Sequence, residues 1–112
     1  EADIKVDEGL ILEKDVFYLN GTELYDEIRK KQAAATKKII KKFLSRYPKI
    51  SKSMQSGSPS YYKKRSKADS MLNINKTIKN QFNLLRIVNN TDWPAFFIYK
   101  KKKYKILIYE EK

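Results

Sequence analysis

The sequence predicts an α+β fold in which two helices, joined by a long basic loop, pack on a small antiparallel sheet. Three patterns support this class: a long amphipathic segment, an apolar stripe at steps of three and four residues, and strict alternation near the C-terminus. The sheet is expected to combine N-terminal strands with a C-terminal hairpin. A chain of 112 residues has the length of one domain, so a single domain over residues 1–112 is predicted.

The N-terminal part is expected to form an arm and two short strands. Residues 1–9 are polar and acidic, which favours an acidic arm or an edge strand. Two apolar runs follow at residues 10–12 and 16–19, and they predict a hairpin or one bent strand. The Asn20-Gly21 pair marks the turn that ends this region.

Residues 22–47 predict one helix of about seven turns. Its first turn is acidic and its last is basic, which matches the helix dipole, and Thr22 is placed to cap the first amides. On a helical wheel, the side chains of Ile39, Phe43 and Leu44 share one face, and the lysines lie on the opposite face. The helix is therefore expected to bury its apolar face and to expose a basic one.

Residues 48–67 are predicted to form a long basic loop. Pro48 ends the helix, and the following residues have neither helical nor strand periodicity while being rich in Ser, Lys, Gly and Pro. Loops of this length within a compact domain are generally either functional or disordered.

A second helix is predicted from Asp69 or Ser70 to about Asn89. Residues 72–75 also alternate between apolar and polar side chains, so an extended start of this segment is the alternative prediction. The predicted buried stripe consists of Met71, Ile74, Ile78, Phe82, Leu85 and Val88.

The C-terminal region predicts a β-hairpin with strands at residues 95–99 and 104–109, joined by a basic turn at residues 100–103. In the second strand the alternation is strict: it places Tyr104, Ile106 and Ile108 on one side and Lys105, Leu107 and Tyr109 on the other. Trp93, which precedes Pro94, is expected to anchor the core, with a stacking platform as the alternative.

Charge is distributed unevenly along this chain, whose net charge is +12. Residues 1–28 hold nine acidic side chains against two lysines, whereas residues 29–109 hold 22 basic side chains against two acidic ones. Such a distribution is typical of a nucleic-acid binder with an acidic arm. It is equally typical of an assembly subunit whose neighbours carry the opposite charge.

The chain contains no cysteine and no histidine, which excludes disulfides, Cys/His zinc sites, cysteine nucleophiles and histidine general bases. With three glycines, it also lacks a Gly-rich phosphate loop. We therefore predict no catalytic residues, no metal site and no cofactor. No apolar run approaches the roughly 20 residues of a membrane span, so no membrane partner is expected.

The candidate interface combines the lysine face of the first helix, the basic-aromatic segment 61–67 and the hairpin turn. Lysine and arginine neutralise phosphates, and a tyrosine ring can stack on an unpaired base. A solvated loop and a charged turn that prevents aggregation are the alternatives. The predicted nucleic-acid-binding residues are Lys30, Lys31, Lys37, Lys38, Lys41, Lys42, Tyr61, Tyr62, Lys63, Lys64, Arg65, Lys67, Lys101 and Lys102.

These patterns predict a non-enzymatic protein that contacts DNA or RNA without strong sequence preference. It is expected to be a structural component of a larger particle, such as a virion or a ribonucleoprotein, with other protein subunits as further partners. The Lys-, Ile- and Asn-rich composition suggests a phage or mobile element with an AT-rich genome, and a location inside a cell or a virus particle.

Two alternatives remain at this level. The first is a protein–protein assembly subunit that docks its acidic N-terminus on the basic face of a neighbour. The second is a small histidine-free nuclease, because Asp92 and the Glu110-Glu111-Lys112 run resemble the loose carboxylate and lysine pattern of metal-dependent nucleases.

Overall fold

The computed structural model describes residues 7–111, and the prediction of an α+β fold with a C-terminal hairpin is confirmed. Within that range the chain forms two α-helices, two short 3-10 turns and one two-stranded antiparallel sheet. These elements are helix α1 (Tyr25–Arg46), the 3-10 turns Lys67–Ser70 and Lys79–Gln81, helix α2 (Phe82–Arg86), and strands β1 (Ala95–Tyr99) and β2 (Lys102–Ile106).

The described residues group into two compact units. Unit 1 comprises residues 7–18 and 31–62, and unit 2 comprises residues 19–30 and 63–111. The first turns of α1 therefore belong to unit 2, and the remainder of the helix belongs to unit 1. No helix in residues 7–111 has the length and apolar character needed to cross a membrane.

Helix α1 begins three residues later than predicted, and Thr22 does not cap it. The amide and hydroxyl of Thr22 both donate to Asn20 Oδ1, at 2.9 and 2.7 Å, so Thr22 is part of a turn. The carboxylate of Glu27 instead accepts a hydrogen bond from the amide of Leu24 at 3.1 Å, which satisfies one of the exposed amides at the start of the helix.

The hydrophobic core lies in unit 2. Beyond the end of β2, the side-chain amide of Asn90 pairs with the backbone of Ile108. It donates to the carbonyl of Ile108 at 2.7 Å and accepts the N–H of Ile108 at 3.1 Å, as the backbone of a neighbouring strand would. Ile106 and Ile108, which the alternation places on the same side, both pack against this core. The buried cluster consists of Leu72, Leu85, Val88 and Ala95, with Phe82, Leu84 and Phe97 packed against it.

A buried ion pair joins the residues before α1 to helix α2. Arg86 Nη2 lies 2.8 Å from Glu23 Oε2, and the two side chains are only 9 and 6% exposed. Arg86 Nε also donates to the carbonyl oxygen of Glu23 at 2.9 Å. The Glu23 carboxylate accepts the backbone N–H groups of Asn20 and Gly21, so the buried charge is well satisfied.

The hairpin is tighter than the sequence pattern predicts. Lys100 and Lys101 have φ values of 47° and 64°, as in the two-residue type I′ turn that suits the twist of paired strands. Strand β2 therefore starts at Lys102, and the predicted strand limits of residues 104–109 are wrong. In the observed register, Phe96 lies opposite Lys105 and Ile98 lies opposite Lys103.

The long second helix predicted from about residue 70 to residue 89 is wrong. Leu72 donates its N–H to the carbonyl of Phe96 at 2.7 Å, so the chain is extended there. Asn73 accepts the N–H of Asn75, and the side chain of Gln81 bonds the backbone of Asn73. These side-chain bonds compete with helical ones, and only the final turn of the segment forms α2.

The predicted N-terminal strands are not confirmed. In the described part of the N-terminal region, Ile11 forms an isolated bridge with Ser53, with hydrogen bonds of 2.9 and 3.0 Å. Residues 10–19 contain no strand, and the predicted arm lies mostly outside the described residues. The predicted loop at residues 48–67 contains no helix or strand up to Lys67, where the first 3-10 turn begins.

Candidate nucleic-acid interface

The lysine face of α1 is partly neutralised by the acidic residues of its own chain. In unit 1, Lys38 Nζ lies 3.2 Å from Asp15 Oδ1, and Lys42 pairs with the carboxylate of Glu13. Arg46 joins Glu13 at 3.3 Å. The basic partners are solvent-accessible, so each pair contributes little stability, and among the predicted binding residues Lys38 and Lys42 have a carboxylate partner.

Other predicted helix lysines remain exposed. Lys31 is exposed and donates to the carbonyl of Tyr18 at 3.0 Å. Lys37 and Lys41 make no ion pair with any described residue, and both are exposed. Lys30, also exposed, belongs to unit 2. The predicted surface of the helix is thus reduced to those lysines that do not pair with Glu13 or Asp15.

The ion pair between Glu13 and Lys42 makes stability depend on pH. The hydrogen bond from Lys42 holds the pKa of Glu13 below its ordinary value of 4.5. A carboxyl group whose pKa is lower in the folded than in the unfolded state stabilises the fold at pH values above its unfolded-state pKa. This stabilisation is lost as the pH falls through the folded-state pKa. We expect the Glu13 side-chain carbon to titrate below pH 4.5 in an NMR experiment.

The matched variants separate this contact from general charge effects. Lys42→Met should raise the pKa of Glu13 towards its ordinary value, because the hydrogen bond is lost. Lys37→Met removes the same charge from the same helix, yet Lys37 has no ion pair among the described residues, so a smaller change is expected. Equal shifts in both variants would contradict the assigned pairing.

The segment that begins at Tyr61 is highly accessible. Tyr61 and Tyr62 are 90 and 92% exposed, so neither ring is covered by the core. Lys63 and Lys64 are also exposed, and neither makes an ion pair among the described residues. Residues 61–66 lack helix and strand, and in this segment two exposed tyrosines are followed directly by two exposed lysines.

Arg65 and Lys67 occupy a more ordered part of the same segment in unit 2. The pKa of Asp69 is lowered because its carboxylate accepts the N–H of Ser66, at 2.6 Å, and the Ser66 hydroxyl, at 2.9 Å. This capping box starts the 3-10 turn that follows Ser66. Arg65 Nη2 donates to Ser70 Oγ at 3.1 Å, whereas Lys67 is exposed.

The hairpin presents a row of lysines. Lys101 lies in the turn and Lys102 is the first residue of β2, and both are exposed. Sequence reasoning did not select Lys103 and Lys105, which share the sheet face opposite to the core. The ammonium of Lys103 lies 3.8 Å from the centre of the Phe96 ring, so a cation–π contact holds it.

Lys67, Lys103 and Lys105 come together around one cavity of about 240 Å³ in unit 2, which Trp93 also lines. The strand alternation placed Lys105 on the side opposite to Ile106 and Ile108, but nothing in the local pattern placed it near Lys67. The convergence depends on the pairing of β1 with β2, which is not encoded within either strand alone.

The carboxylates considered for a nuclease are not assembled into a metal site in the described range. Residues 7–111 contain no group of three or more acidic side chains able to hold a metal ion. Asp92 accepts a hydrogen bond from Asn89 Nδ2 at 3.1 Å. Lys112, the lysine of the nuclease pattern, lies outside the described residues.

This protein was compared with protein-family models, curated proteins and solved structures. No protein-family model, curated protein or solved structure matches this chain.

Proposed function

We propose that this protein is a non-enzymatic component of a larger particle and contacts nucleic acid without strong sequence preference. One observation carries the proposal: Tyr61 and Tyr62 are at least nine-tenths exposed and precede two exposed lysines. Exposed aromatic rings are costly to leave in water, and interleaved cations and rings are the common means of binding single-stranded nucleic acid.

The hairpin turn supports the same function. Positive φ values disfavour side chains with a Cβ, and Asn-Gly is the preferred pair in this turn type. The chain nevertheless carries Lys100 and Lys101 there, at φ values of 47° and 64°. Backbone strain retained with two adjacent cations is consistent with selection for charge at this tip.

Removing the exposed tyrosines should weaken binding with little effect on its salt dependence. We expect the double variant Tyr61→Ala, Tyr62→Ala to bind a mixed-sequence single-stranded oligonucleotide about tenfold more weakly, because base stacking is lost while every charge remains. Fluorescence anisotropy with labelled oligonucleotide measures the affinity at several salt concentrations.

The matched control is Tyr18→Ala, Tyr109→Ala, which removes two other tyrosines that are 83 and 74% exposed. Its affinity should stay within about twofold of the native protein, because aromatic stacking acts only where the strand lies. Equal losses in the two double variants would contradict a specific role for Tyr61 and Tyr62, and absence of any binding would contradict the proposed function itself.

A second candidate, the protein–protein assembly subunit, is favoured by a different observation in unit 1. None of residues 7–18 and 31–62 is buried, and Val16, Ile40 and Leu44 are more than half exposed. The apolar face of α1 therefore lacks the covering that the sequence predicts. Salt-sensitive self-association without oligonucleotide binding would support this candidate over the first.

A further inference from the structure

We propose that unit 2 holds a site for one unpaired nucleotide of a single-stranded nucleic acid. The base enters a pocket beside Trp93, and the phosphate contacts the lysine cluster formed by Lys67, Lys103 and Lys105. This inference rests on the proposed function and specifies which part of the ligand unit 2 recognises.

The base pocket has two aromatic walls. Tyr25 and Trp93 line a cavity of about 230 Å³, together with Arg65, Ile87 and Asn89. Aromatic rings and the planar guanidinium of arginine are the side chains on which unpaired bases stack. The lining thus combines aromatic and aliphatic side chains with the hydrogen-bonding side chains of Arg65 and Asn89, and a nucleobase needs both kinds of partner.

A buried hydroxyl positions Arg65 in this pocket. Ser70 is fully buried, its Oγ accepts from Arg65 Nη2 at 3.1 Å, and it donates to the carbonyl of Trp93 at 3.3 Å. The N–H of Trp93 in turn donates to the carbonyl of Asn89 at 3.0 Å. These bonds hold the guanidinium of Arg65 relative to the backbone of Trp93, so less conformational entropy is lost when a ligand binds.

The phosphate site is cationic. Three lysines and Asp92 line the second cavity, so its charged side chains sum to +2. The carboxylate of Asp92 accepts a hydrogen bond from Asn89, which partly satisfies its charge within the protein. The contact of Lys103 with the Phe96 ring orders one ammonium before a phosphate arrives.

Trp93 connects the two sites, because it lines both cavities. A nucleotide also joins a planar ring to an anion through a short sugar link. The arrangement therefore fits a base and its own phosphate better than it fits an isolated anion, which would need no aromatic pocket.

The fluorescence of Trp93 tests this site directly, since it is the only tryptophan in the chain. The full chain is titrated with oligothymidylate of about 12 nucleotides, within the usual range of single-strand sites. An abasic deoxyribose-phosphate oligomer of equal length serves as the comparison. We expect saturable quenching by oligothymidylate, binding about 5- to 150-fold tighter than that of the abasic oligomer, and no quenching by the abasic oligomer.

Variants separate the base contact from the phosphate contact. Tyr25→Leu should weaken binding of oligothymidylate and leave binding of the abasic oligomer unchanged. Lys103→Gln with Lys105→Gln should weaken both ligands more than the charge-matched control Lys76→Gln with Lys79→Gln, whose lysines are exposed and do not line the cavity.

The outcomes distinguish this inference from the proposed function. If anisotropy shows strand binding but Trp93 is not quenched, or is quenched equally by the abasic oligomer, the nucleotide site is wrong while the proposed function stands. If neither oligomer binds, both fail. Thymidine monophosphate is the third probe. If oligothymidylate quenches Trp93 at a lower concentration than thymidine monophosphate does, the result supports a single-stranded nucleic acid as the ligand.

Discussion

Raising monovalent salt from about 50 to about 200 mM is expected to weaken binding of a single-stranded oligonucleotide about a thousandfold. Each cation that neutralises a phosphate releases condensed counterions, and the logarithm of affinity falls by about 0.7 per contact for single strands. About seven contacts give a slope near −5. Seven exposed lysines of the proposed interface in unit 2 could make these contacts, and none of them forms an ion pair with a described residue: Lys63, Lys64, Lys67, Lys101, Lys102, Lys103 and Lys105.

Anisotropy titrations at four or more salt concentrations measure this slope. Lys63→Gln with Lys64→Gln should make the slope shallower by about 1.4, because two phosphate contacts are lost. The paired lysine Lys38 provides the control: Lys38→Gln removes a cation that Asp15 already neutralises, so a smaller change is expected. A slope shallower than about −1 in the native protein would contradict an electrostatic interface.

Replacing Arg86 by methionine is expected to lower the free energy of unfolding of unit 2 by about 3–5 kcal/mol. The substitution leaves the Glu23 carboxylate buried without the guanidinium that lies 2.8 Å away, and an uncompensated buried charge is costly. A small domain has about 5–15 kcal/mol in total, so the loss is large. Urea denaturation followed by Trp93 fluorescence measures it.

Two further variants show whether the cost comes from the unpaired charge. Arg86→Met with Glu23→Leu should recover part of the loss, since an apolar pair no longer buries a lone carboxylate. Arg46→Met removes an arginine whose side chain is 58% exposed and pairs with Glu13 at 3.3 Å, so its effect should stay within about 1 kcal/mol. A loss below that value in Arg86→Met would show that the pair is not essential for stability.

Local patterns predicted the elements that depend on local interactions. Helix α1 has acidic residues in its first turn and a continuous helical period, and it was predicted within a few residues. The hairpin followed from alternation, although the turn is shorter because Lys100 and Lys101 adopt positive φ. Nothing in their residue types indicates that conformation, which Gly and Asn adopt more readily.

The predicted second helix failed for a physical reason visible in its side chains. Its apolar stripe suits a helix, but the side chains of Asn73, Thr77 and Gln81 form hydrogen bonds with backbone groups. These bonds satisfy N–H and C=O groups that would otherwise pair within a helix. Of the predicted stripe, Phe82, Leu85 and Val88 contribute to the core, whereas Ile74 and Ile78 are more than half exposed. Periodicity alone does not weigh these competing hydrogen bonds.

The amino-acid sequence by itself determined the α+β class, the amphipathic helix, the hairpin and the excess of basic charge, because each follows from neighbouring side chains or from composition. Only the tertiary structure decided which cations are neutralised and which converge. Lys38 meets Asp15 across 23 residues, and Ser70 meets Trp93 across 23 residues. Such contacts are set by how distant segments pack, so the nucleotide site proposed around Trp93 could be inferred only once the chain was folded.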